Sequence, residues 1–392
     1  MKSLTILKKL YSYYYSRLSN IEVPEDLALR EIALQPWGSK SYKRHLSVSS
    51  RDELIRLLAK EAPRHAYYSS ARYHNPAAPD MDAKGWISAD IVFDIDADHL
   101  DYCRDKIIRI STAEGEETIT PRECIQYAGF LVENLVDILT EELGFEANRI
   151  RIEFSGHRGY HVIVQLPLDD PWSKSDSQVR RELVNYIKAI DALWDNIMSK
   201  EVKVISKGRA KRRLKPLIPT LTSPGLRGRV ARIAYKILLF KGEKRVAQLL
   251  KEKNLTYNYL KTVEDGDLVL TALEKAREIA GIDVDEQVTV DVKRLIRIPG
   301  SLNGKTSLPV KTMKSISELA TFAPTVELSP FKDFDRLKVK YLTDTPRLEV
   351  LDEVISPAKK GEQRRLQAPI ALYLASKRIV DIIEDPLEGS SY

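Results

Sequence analysis

The chain has 392 residues, 43% of them hydrophobic and 30% charged, which is enough for two or three domains with a sizeable core. The absence of any run of eighteen apolar residues argues against a transmembrane protein. The 62 Lys and Arg exceed the 56 Asp and Glu, and the resulting net charge of +6 permits an anionic partner without requiring one. Cys103 and Cys124 are too few for a disulfide scaffold, so we expect them to be reduced. Lys8 and Lys9 interrupt the N-terminal apolar run, which argues against a signal peptide, and we therefore expect a cytoplasmic protein.

The first hundred residues are predicted to pass from helices to strands. Residues 1–60 read as helical, with a second helix near 52–62. The runs AYYSSARY, 66–73, and ADIVFDIDAD, 89–98, are rich in aromatic or β-branched residues and indicate strands.

The middle of the chain is predicted to contain a helix, a hairpin and then a helical region. Apolar residues recur at helical spacing over 126–145. The segment RIRIEFSGHRGYHVIVQL, 149–166, alternates on both sides of a glycine-containing turn, as a β-hairpin does. From about 169 to 281 the helical period dominates.

Strand character returns after this helical region. Residues 282–292 are predicted as a strand, and the C-terminal segment mixes strand-like alternation with a helix that begins at Pro369. The predicted fold class is therefore mixed α/β of the α+β kind. Residues 1–168 and 282–392 would form one body, and 169–281 a mainly helical insertion domain.

Three acids close the predicted strand in IVFDIDADHL, 91–100. Residues two apart on a strand share a face, so Asp94, Asp96 and Asp98 would crowd together. Like charges at that distance raise each other's pKa unless a cation lies between them. The pattern is compatible with a strand end in solvent or with a divalent-metal site.

Two further segments carry basic residues on glycine-containing turns. In SGHRGYHV, 155–162, the guanidinium of Arg158 suits phosphate oxygens. The segment VDEQVTVDVKRLIRIPGSLNGKTSL, 284–308, adds acids and then bases. Each turn alone is compatible with an exposed basic loop, but together with the acidic strand end they suggest a triphosphate held by metal on one side and Arg and His on the other.

A basic run lies inside the helical region. Residues 200–215, KEVKVISKGRAKRRLK, hold eight basic side chains against the single Glu201. The run is compatible with a solvated loop or with a nucleic-acid contact. The candidates for that contact are Lys211, Arg212 and Arg213, with Arg227, Arg229 and Arg232 following along the chain.

The motifs FDIDAD, SGHRGYHV and VDEQVT…RLIRIPGSLNGK, in that order, resemble those of the catalytic small subunit of archaeal and eukaryotic DNA primases. The resemblance covers essentially the whole chain. It implies a prim-type catalytic domain with an RRM-like sheet, which makes short primers from nucleoside triphosphates by two-metal transfer with Mg²⁺ or Mn²⁺. It also implies a single-stranded DNA template, a heterodimer with an iron–sulfur-containing large subunit, and no membrane.

The same resemblance implies residue roles. Asp94 and Asp96 would bind the metals with Asp285 as the third acid; Asp291 is the rival, and the motif favours Asp285. Nine residues would bind the nucleotide, the last two with weaker support: Ser155, His157, Arg158, His161, Arg297, Asn303, Lys305, Arg44 and Arg72.

Two departures from the family pattern affect these expectations. Asn303 stands where the family usually has His; an Asn can hydrogen-bond a phosphate but carries no charge. The interval that often carries a zinc knuckle has only His99, Cys103 and Cys124, too few for a closed tetrahedral site, and we expect no structural zinc. The alternatives are a stand-alone primase-like repair polymerase and a non-catalytic nucleic-acid-binding subunit. Ribo- or deoxynucleotide preference is left open.

Overall fold

The computed structural model describes residues 2–18, 21–190, 193–206, 209–252 and 255–388. The chain forms two compact units. The first contains Met1–Glu133, Asn148–Ser177 and Asp285–Tyr392, and the second contains Asn134–Ala147 and Gln178–Val284. Residues 134–147, which we expected in the catalytic body, therefore belong to the second unit.

Helices occur in both units, and several begin with a side-chain cap. In α2 the Ser50 side chain accepts a hydrogen bond from the Glu53 backbone N–H, and Leu54 and Leu58 are buried. The α-helices of the described residues are α1 (Lys2–Ser16), α2 (Arg51–Glu61), α3 (Arg122–Asp137), α4 (Ser177–Ile187), α5 (Trp194–Met198), α6 (Gly225–Phe240), α7 (Lys244–Ala247), α8 (Tyr257–Thr262), α9 (Gly266–Glu278), α10 (Glu286–Val290) and α11 (Ala368–Ser376).

The strands pair in antiparallel fashion, and with the helices they confirm the predicted α+β class. They are β1 (Ile32–Gln35), β2 (Lys43–Leu46), β3 (His65–Ser69), β4 (Ala71–Tyr73), β5 (Trp86–Ala89), β6 (Ile91–Asp96), β7 (Ile108–Thr112), β8 (Gly115–Ile119), β9 (Ile150–Phe154), β10 (Gly159–Val164), β11 (Lys200–Ser206), β12 (Arg209–Lys215), β13 (Leu295–Arg297), β14 (Lys311–Thr312), β15 (Leu337–Tyr341), β16 (Leu348–Val350), β17 (Glu353–Ile355), β18 (Gln363–Leu366) and β19 (Val380–Ile382).

Two four-stranded sheets of the first unit position the motifs. One has the order β14-β9-β10-β6, and the other has the order β13-β3-β1-β2. In β10 the predicted apolar face of Tyr160, Val162 and Val164 is buried in the core, and Ile163 on the opposite face is buried as well. The predicted hairpin corresponds to β9 and β10.

Two predictions of secondary structure are wrong. Residues 282–292 do not form a strand, because the Asp285 carboxylate caps helix α10 by accepting a hydrogen bond from the Gln287 N–H at 2.9 Å. The N-terminal region is not wholly helical, since β1 and β2 lie between α1 and α2. The basic run, for which the sequence left a solvated loop and a nucleic-acid contact open, contains strands β11 and β12, which pair with Lys203 opposite Arg212.

The expectation of reduced cysteines is also corrected. Cys103 and Cys124 form a disulfide whose Cα atoms are 5.7 Å apart, between a 3₁₀ turn after β6 and the start of α3. The sequence separates these cysteines by 21 residues, and only the fold brings them together. Among the described helices, none has both the length and the apolar character needed to span a bilayer.

The second unit is held by a helical core and buried arginine contacts. Val230 and Ala234 of α6 pack with Val269 and Leu273 of α9. The Arg229 guanidinium donates to the Glu142 carboxylate at 2.8 Å, and both side chains are almost fully buried.

Candidate active site

One row of side chains crosses the β14-β9-β10-β6 sheet near the end of β6 that carries the acids. The antiparallel register places Asp94 of β6 opposite His161 of β10, and His161 opposite Glu153 of β9. Residues directly opposite on antiparallel strands project to the same face, so an acid, an imidazole and a second acid are neighbours there. The local pairing thus explains why motifs sixty residues apart form one site.

Asp94 is the most perturbed carboxylate of this row. Its Oδ1 is buried and has no hydrogen-bond partner among the described residues. Burial, followed by the charges of Asp96 and Asp285, raises the pKa of Asp94 to about 6. His161 and Arg294 act in the opposite direction without cancelling this rise. The crowding of acids predicted from the sequence is therefore present, and it destabilises the ionised form of Asp94.

Asp96 and Asp98 share a cation instead. Arg158 Nε lies 3.4 Å from Asp96 Oδ2, and Arg158 Nη1 lies 2.7 Å from Asp98 Oδ2. The turn that carries Arg158 approaches β6 closely, because a Cβ on Gly159 would lie 2.4 Å from Asp96 Oδ1. Only glycine permits this approach.

The two candidates for the third acid occupy the two ends of helix α10. The Asp285 N–H donates to the Asp94 carbonyl at 3.0 Å, and the charge of Asp285 acts on Asp94. Asp291 follows the helix, is exposed, and accepts a hydrogen bond from the Lys293 N–H at 2.9 Å. Electrostatic coupling to Asp94 favours Asp285, as does the motif.

The acids fit a divalent cation by chemistry. Carboxylate oxygens are the ligands that Mg²⁺ and Mn²⁺ prefer. Asp94 has a buried carboxylate oxygen without a partner among the described residues, and neighbouring acids raise its pKa. A divalent cation would give this oxygen a partner and offset the repulsion between the acids. Among the described residues, no three Asp, Glu, His or Cys side chains are arranged so that they could hold a metal ion. Asp96 is paired with Arg158.

His161 is placed between two carboxylates. Its Nδ1 lies 3.9 Å from Glu153 Oε2, and Glu153 is fully buried with Arg151 Nε 2.7 Å from its other oxygen. Burial disfavours the imidazolium, but Glu153 and Asp94 together raise the pKa of His161 above its ordinary value. The arrangement favours a cationic, donating His161.

Cations gather on the other side of the SGHRGYH turn. Burial lowers the pKa of Lys305, and the charges of Arg158, Arg297 and Arg64 lower it further, while Glu117 opposes them. Three positive charges and one acid act on Lys305, so its surroundings are suited to an anion.

His65 connects this cluster to strand β13. Arg297 Nη1 lies 2.6 Å from His65 Nδ1, which also accepts a hydrogen bond from the Gly304 N–H at 3.2 Å. Because arginine only donates, His65 is the acceptor and neutral. Burial and the charge of Arg297 accordingly hold the pKa of His65 well below its usual range.

A cavity of about 420 Å³ opens beside the acid row, within the size range of small-molecule sites. Acidic, basic and aromatic side chains line it together. They include Tyr42, Arg44, Tyr67, Asp94, His161, Asp291, Lys293, Arg294 and Arg297.

Comparisons with known proteins bear on this geometry. A sequence model of the DNA primase small subunit family matches residues 93–316. A relative from Hyperthermus butylicus named DNA primase small subunit PriS is 42% identical over 97% of this chain and 97% of its own. Relatives of the same name from Staphylothermus marinus and Picrophilus torridus are 33% and 31% identical, over 97% and 95% of this chain and 95% and 97% of theirs.

The chain belongs to the DNA primase small subunit family. The predicted family is thus confirmed, and with it the prediction of a primase, a DNA-directed nucleotidyltransferase. Among solved structures, the polymerase domain from Mycobacterium tuberculosis ligase D in complex with DNA is similar with a TM-score of 0.36 and 12% identity, over 80% of this chain and 83% of that chain.

Two predicted nucleotide-binding residues of this family member, Asn303 and Ser155, form buried contacts within the loops. Asn303 is buried; its Nδ2 donates to the Ser155 carbonyl at 2.9 Å and its Oδ1 accepts from the Lys305 N–H at 3.0 Å. Ser155 is buried too, and its hydroxyl accepts a hydrogen bond from the Gly159 N–H. Asn303 therefore joins the two basic turns, which explains how a residue without charge serves at this position.

The two weaker candidates have different surroundings. Arg44 lines the cavity and forms a paired contact with Glu31, at 2.9 and 3.1 Å. Arg72 is buried in ion pairs with Asp26 and Asp90 and does not line the cavity. The structure does not bring Arg72 to the site, because its guanidinium neutralises two acids of the core.

The basic region of this primase subunit is only partly described. Lys211, Arg212 and Arg213 lie on β12, and their side chains fall outside the described part of the chain. Arg227 donates to the carbonyl of Leu217 at 2.8 Å, and Arg232 pairs with Glu142 at 3.1 Å. With Arg229, these arginines stabilise the second unit.

Several site residues were missed by sequence reasoning. Glu153, Arg64 and His65 lie outside the three motifs on which the sequence analysis rested. The alternation of 149–154 places Glu153 on the polar face of the strand, so its burial beside His161 is not indicated by the sequence.

Proposed function

We propose that this chain is the catalytic subunit of a replicative primase, which synthesises short primers on single-stranded DNA from nucleoside triphosphates. Asp94, Asp96 and Asp285 would hold Mg²⁺ or Mn²⁺. The observation that carries the proposal is the unpartnered buried oxygen of Asp94, which lies across the strand pair from His161 and beside a cluster of cations. Bound divalent ions would lower the pKa of the attacking hydroxyl and neutralise charge on the phosphates.

The side chains of this protein would bind and orient the triphosphate. Arg158 pairs with Asp96 and Asp98 in the ligand-free chain, and it would exchange these acids for phosphate oxygens. Lys305 and Arg297 would contact the phosphates from the opposite loop, since both belong to the same cation cluster.

His161 would act as a charged donor to the triphosphate. Glu153 stabilises the imidazolium from behind, and the register fixes His161 beside Asp94. The nucleotide would therefore be held at one end by the acid site and along its phosphates by Arg158, His161, Arg297 and Lys305. His157 would add a further donor at the same turn.

The partners follow from the family. We infer that the subunit works with an iron–sulfur-containing primase large subunit and a single-stranded template, in the cytoplasm. Strand β12 with Lys211, Arg212 and Arg213 would contact template phosphates through charge alone.

A primer-synthesis assay tests the proposal. The full chain, with and without a large subunit, is given single-stranded DNA, nucleoside triphosphates and Mg²⁺ or Mn²⁺. Asp94→Asn or Asp96→Asn should reduce synthesis by at least about a hundredfold, because each removes a ligand charge that metal catalysis needs. The matched control is Asp335→Asn, an exposed acid of the same unit that does not line the cavity. Near-normal synthesis by either site variant would contradict the assignment.

A further inference from the structure

Lys377 is a buried lysine at the end of helix α11, outside the residues that the family model matches. Its side chain is 0% exposed. Its Nζ lies 3.0 Å from His157 Nε2 and 3.7 Å from Glu117 Oε2. The C-terminal helix thus places a charge directly behind the SGHRGYH turn.

This charge has one acidic partner, Glu117, in a long ion pair of 3.7 Å. Burying an ammonium is costly unless a counter-ion compensates it. Glu117 is the one acid that acts on Lys377 within the described contacts, at a distance longer than a hydrogen bond, whereas Lys305 and Arg158 add like charge. Burial and then these cations lower the pKa of Lys377 to about 8, so the side chain is still mostly protonated at neutral pH.

The contact with His157 determines which ring nitrogen carries the proton. An ammonium group only donates, so His157 Nε2 is the acceptor in this contact. Burial and the charge of Lys377 hold the pKa of His157 well below its usual range, so the ring is neutral. A neutral imidazole that accepts at Nε2 has its single N–H at Nδ1.

We propose that Lys377 is a positioning residue for the nucleoside triphosphate: it holds His157 in the tautomer that donates from Nδ1. The inference rests on the proposed function, because it assumes that this turn binds the triphosphate. It adds to the site a residue from the C-terminal helix that neither the motifs nor the relatives' names indicate.

The test is a titration of the full chain with ATP in the presence of Mg²⁺. Lys377→Met, which preserves volume and apolar contact with Tyr373, should raise the Kd for ATP at least about tenfold, the equivalent of one charge-assisted hydrogen bond. Lys377→Arg, which keeps the charge, should recover part of this loss. The matched control is Arg378→Met, since Arg378 is the next residue along the chain and pairs with Glu114 at 3.5 Å. The control should keep the wild-type Kd.

A double-mutant cycle separates positioning from a merely structural role. If Lys377 acts through His157, the Kd of Lys377→Met/His157→Ala should be no higher than that of the weaker-binding single variant. Additive losses would overturn the proposal. So would an unchanged Kd in Lys377→Met.

The wild-type chain gives a second measurement that does not depend on how a variant folds. Its affinity for ATP should fall as pH rises through about 8, as Lys377 loses its proton. The Lys377 ammonium is also surrounded by Glu117, Lys305, Arg158 and Tyr373. Because Lys305 can lose a proton too, the Lys377 contribution is identified with His157→Ala, which should abolish that part of the fall in ATP affinity. A pH dependence identical in wild type and His157→Ala would overturn the inference. If wild-type protein binds no ATP at any pH, the proposed function fails instead.

Discussion

Replacing Asp94 by Asn should stabilise the metal-free fold while it abolishes primer synthesis. The reason is that the Asp94 carboxylate is held among like charges, with one oxygen out of contact with solvent or any donor. Asn has nearly the same shape and no charge, so the variant removes the repulsion and leaves the packing of β6 in place. A residue that destabilises its own fold is expected where function requires it.

The size of the effect follows from the pKa. Burial and the neighbouring acids raise the pKa of Asp94 from 3.8 to about 6. Each unit corresponds to about 1.4 kcal/mol between the two protonation states, so ionised Asp94 costs roughly 3 kcal/mol at most. The folded chain binds this proton more tightly than the unfolded chain. Stability is therefore lost as pH rises from about 4 to about 6, and the advantage of Asp94→Asn should grow over that window and stay constant above it.

The assay is urea unfolding of wild type and Asp94→Asn in EDTA between pH 4.5 and 7.5, with Asp335→Asn as the control. Mn²⁺ is then added at pH 7.5, where it should stabilise wild type and have little effect on Asp94→Asn, because only a ligand that binds the folded state raises its stability. The reasoning is refuted if Asp94→Asn is less stable than wild type at pH 7.5 in EDTA, or if their difference does not change with pH.

Three further predictions concern the loops and the hairpin. Arg158→Ala should raise the Kd for ATP at least about tenfold and leave binding of single-stranded DNA unchanged, and equal losses of both in titrations would assign the turn to a general nucleic-acid surface. Asn303→Ala should lower the free energy of unfolding by about 2 kcal/mol in urea, since two buried hydrogen bonds are lost; wild-type stability with lost ATP affinity would instead indicate a direct phosphate contact. Neutralising Lys211, Arg212 and Arg213 should make the binding constant for template less dependent on salt: the slope of its logarithm against the logarithm of salt concentration should fall by about 0.7 for each lost phosphate contact. An unchanged slope would exclude β12 from the template site.

The sequence was most informative where residues close in the chain form the site. Alternation in 149–166 and the β-branched and aromatic residues of 89–98 predicted strands, and a spacing of two placed Asp94 and Asp96 on one face. Those inferences need only the period of a strand, which is a local property. They are confirmed because β6, β9 and β10 are neighbours in one sheet.

The sequence was less informative where a side chain competes with the local period. The alternation around 284–291 indicates a strand, but the Asp285 side chain caps a helical turn, and the Thr289 hydroxyl donates to the Val92 carbonyl at 2.8 Å. Capping and a single long-range hydrogen bond outweigh a short alternating run. Arg72 differs for another reason: its burial with Asp26 and Asp90 depends on three segments whose approach no local pattern encodes.

Arg158 joins two clusters of opposite charge, and this explains why the turn is built with so little freedom. The Arg158 carbonyl accepts a hydrogen bond from the Ala97 N–H at 3.0 Å, and Gly159 leaves no room for a side chain against Asp96. The backbone of the turn is thus attached to the acidic strand. In the ligand-free chain the Arg158 guanidinium neutralises Asp96 and Asp98, which limits the repulsion on the acid side, while it adds to the repulsion that Lys305 experiences. A triphosphate offers Arg158 and Lys305 the same counter-charge. If the site binds a triphosphate as proposed, this one anion would relieve the excess of positive charge, and the acids would then need a divalent cation as counter-charge.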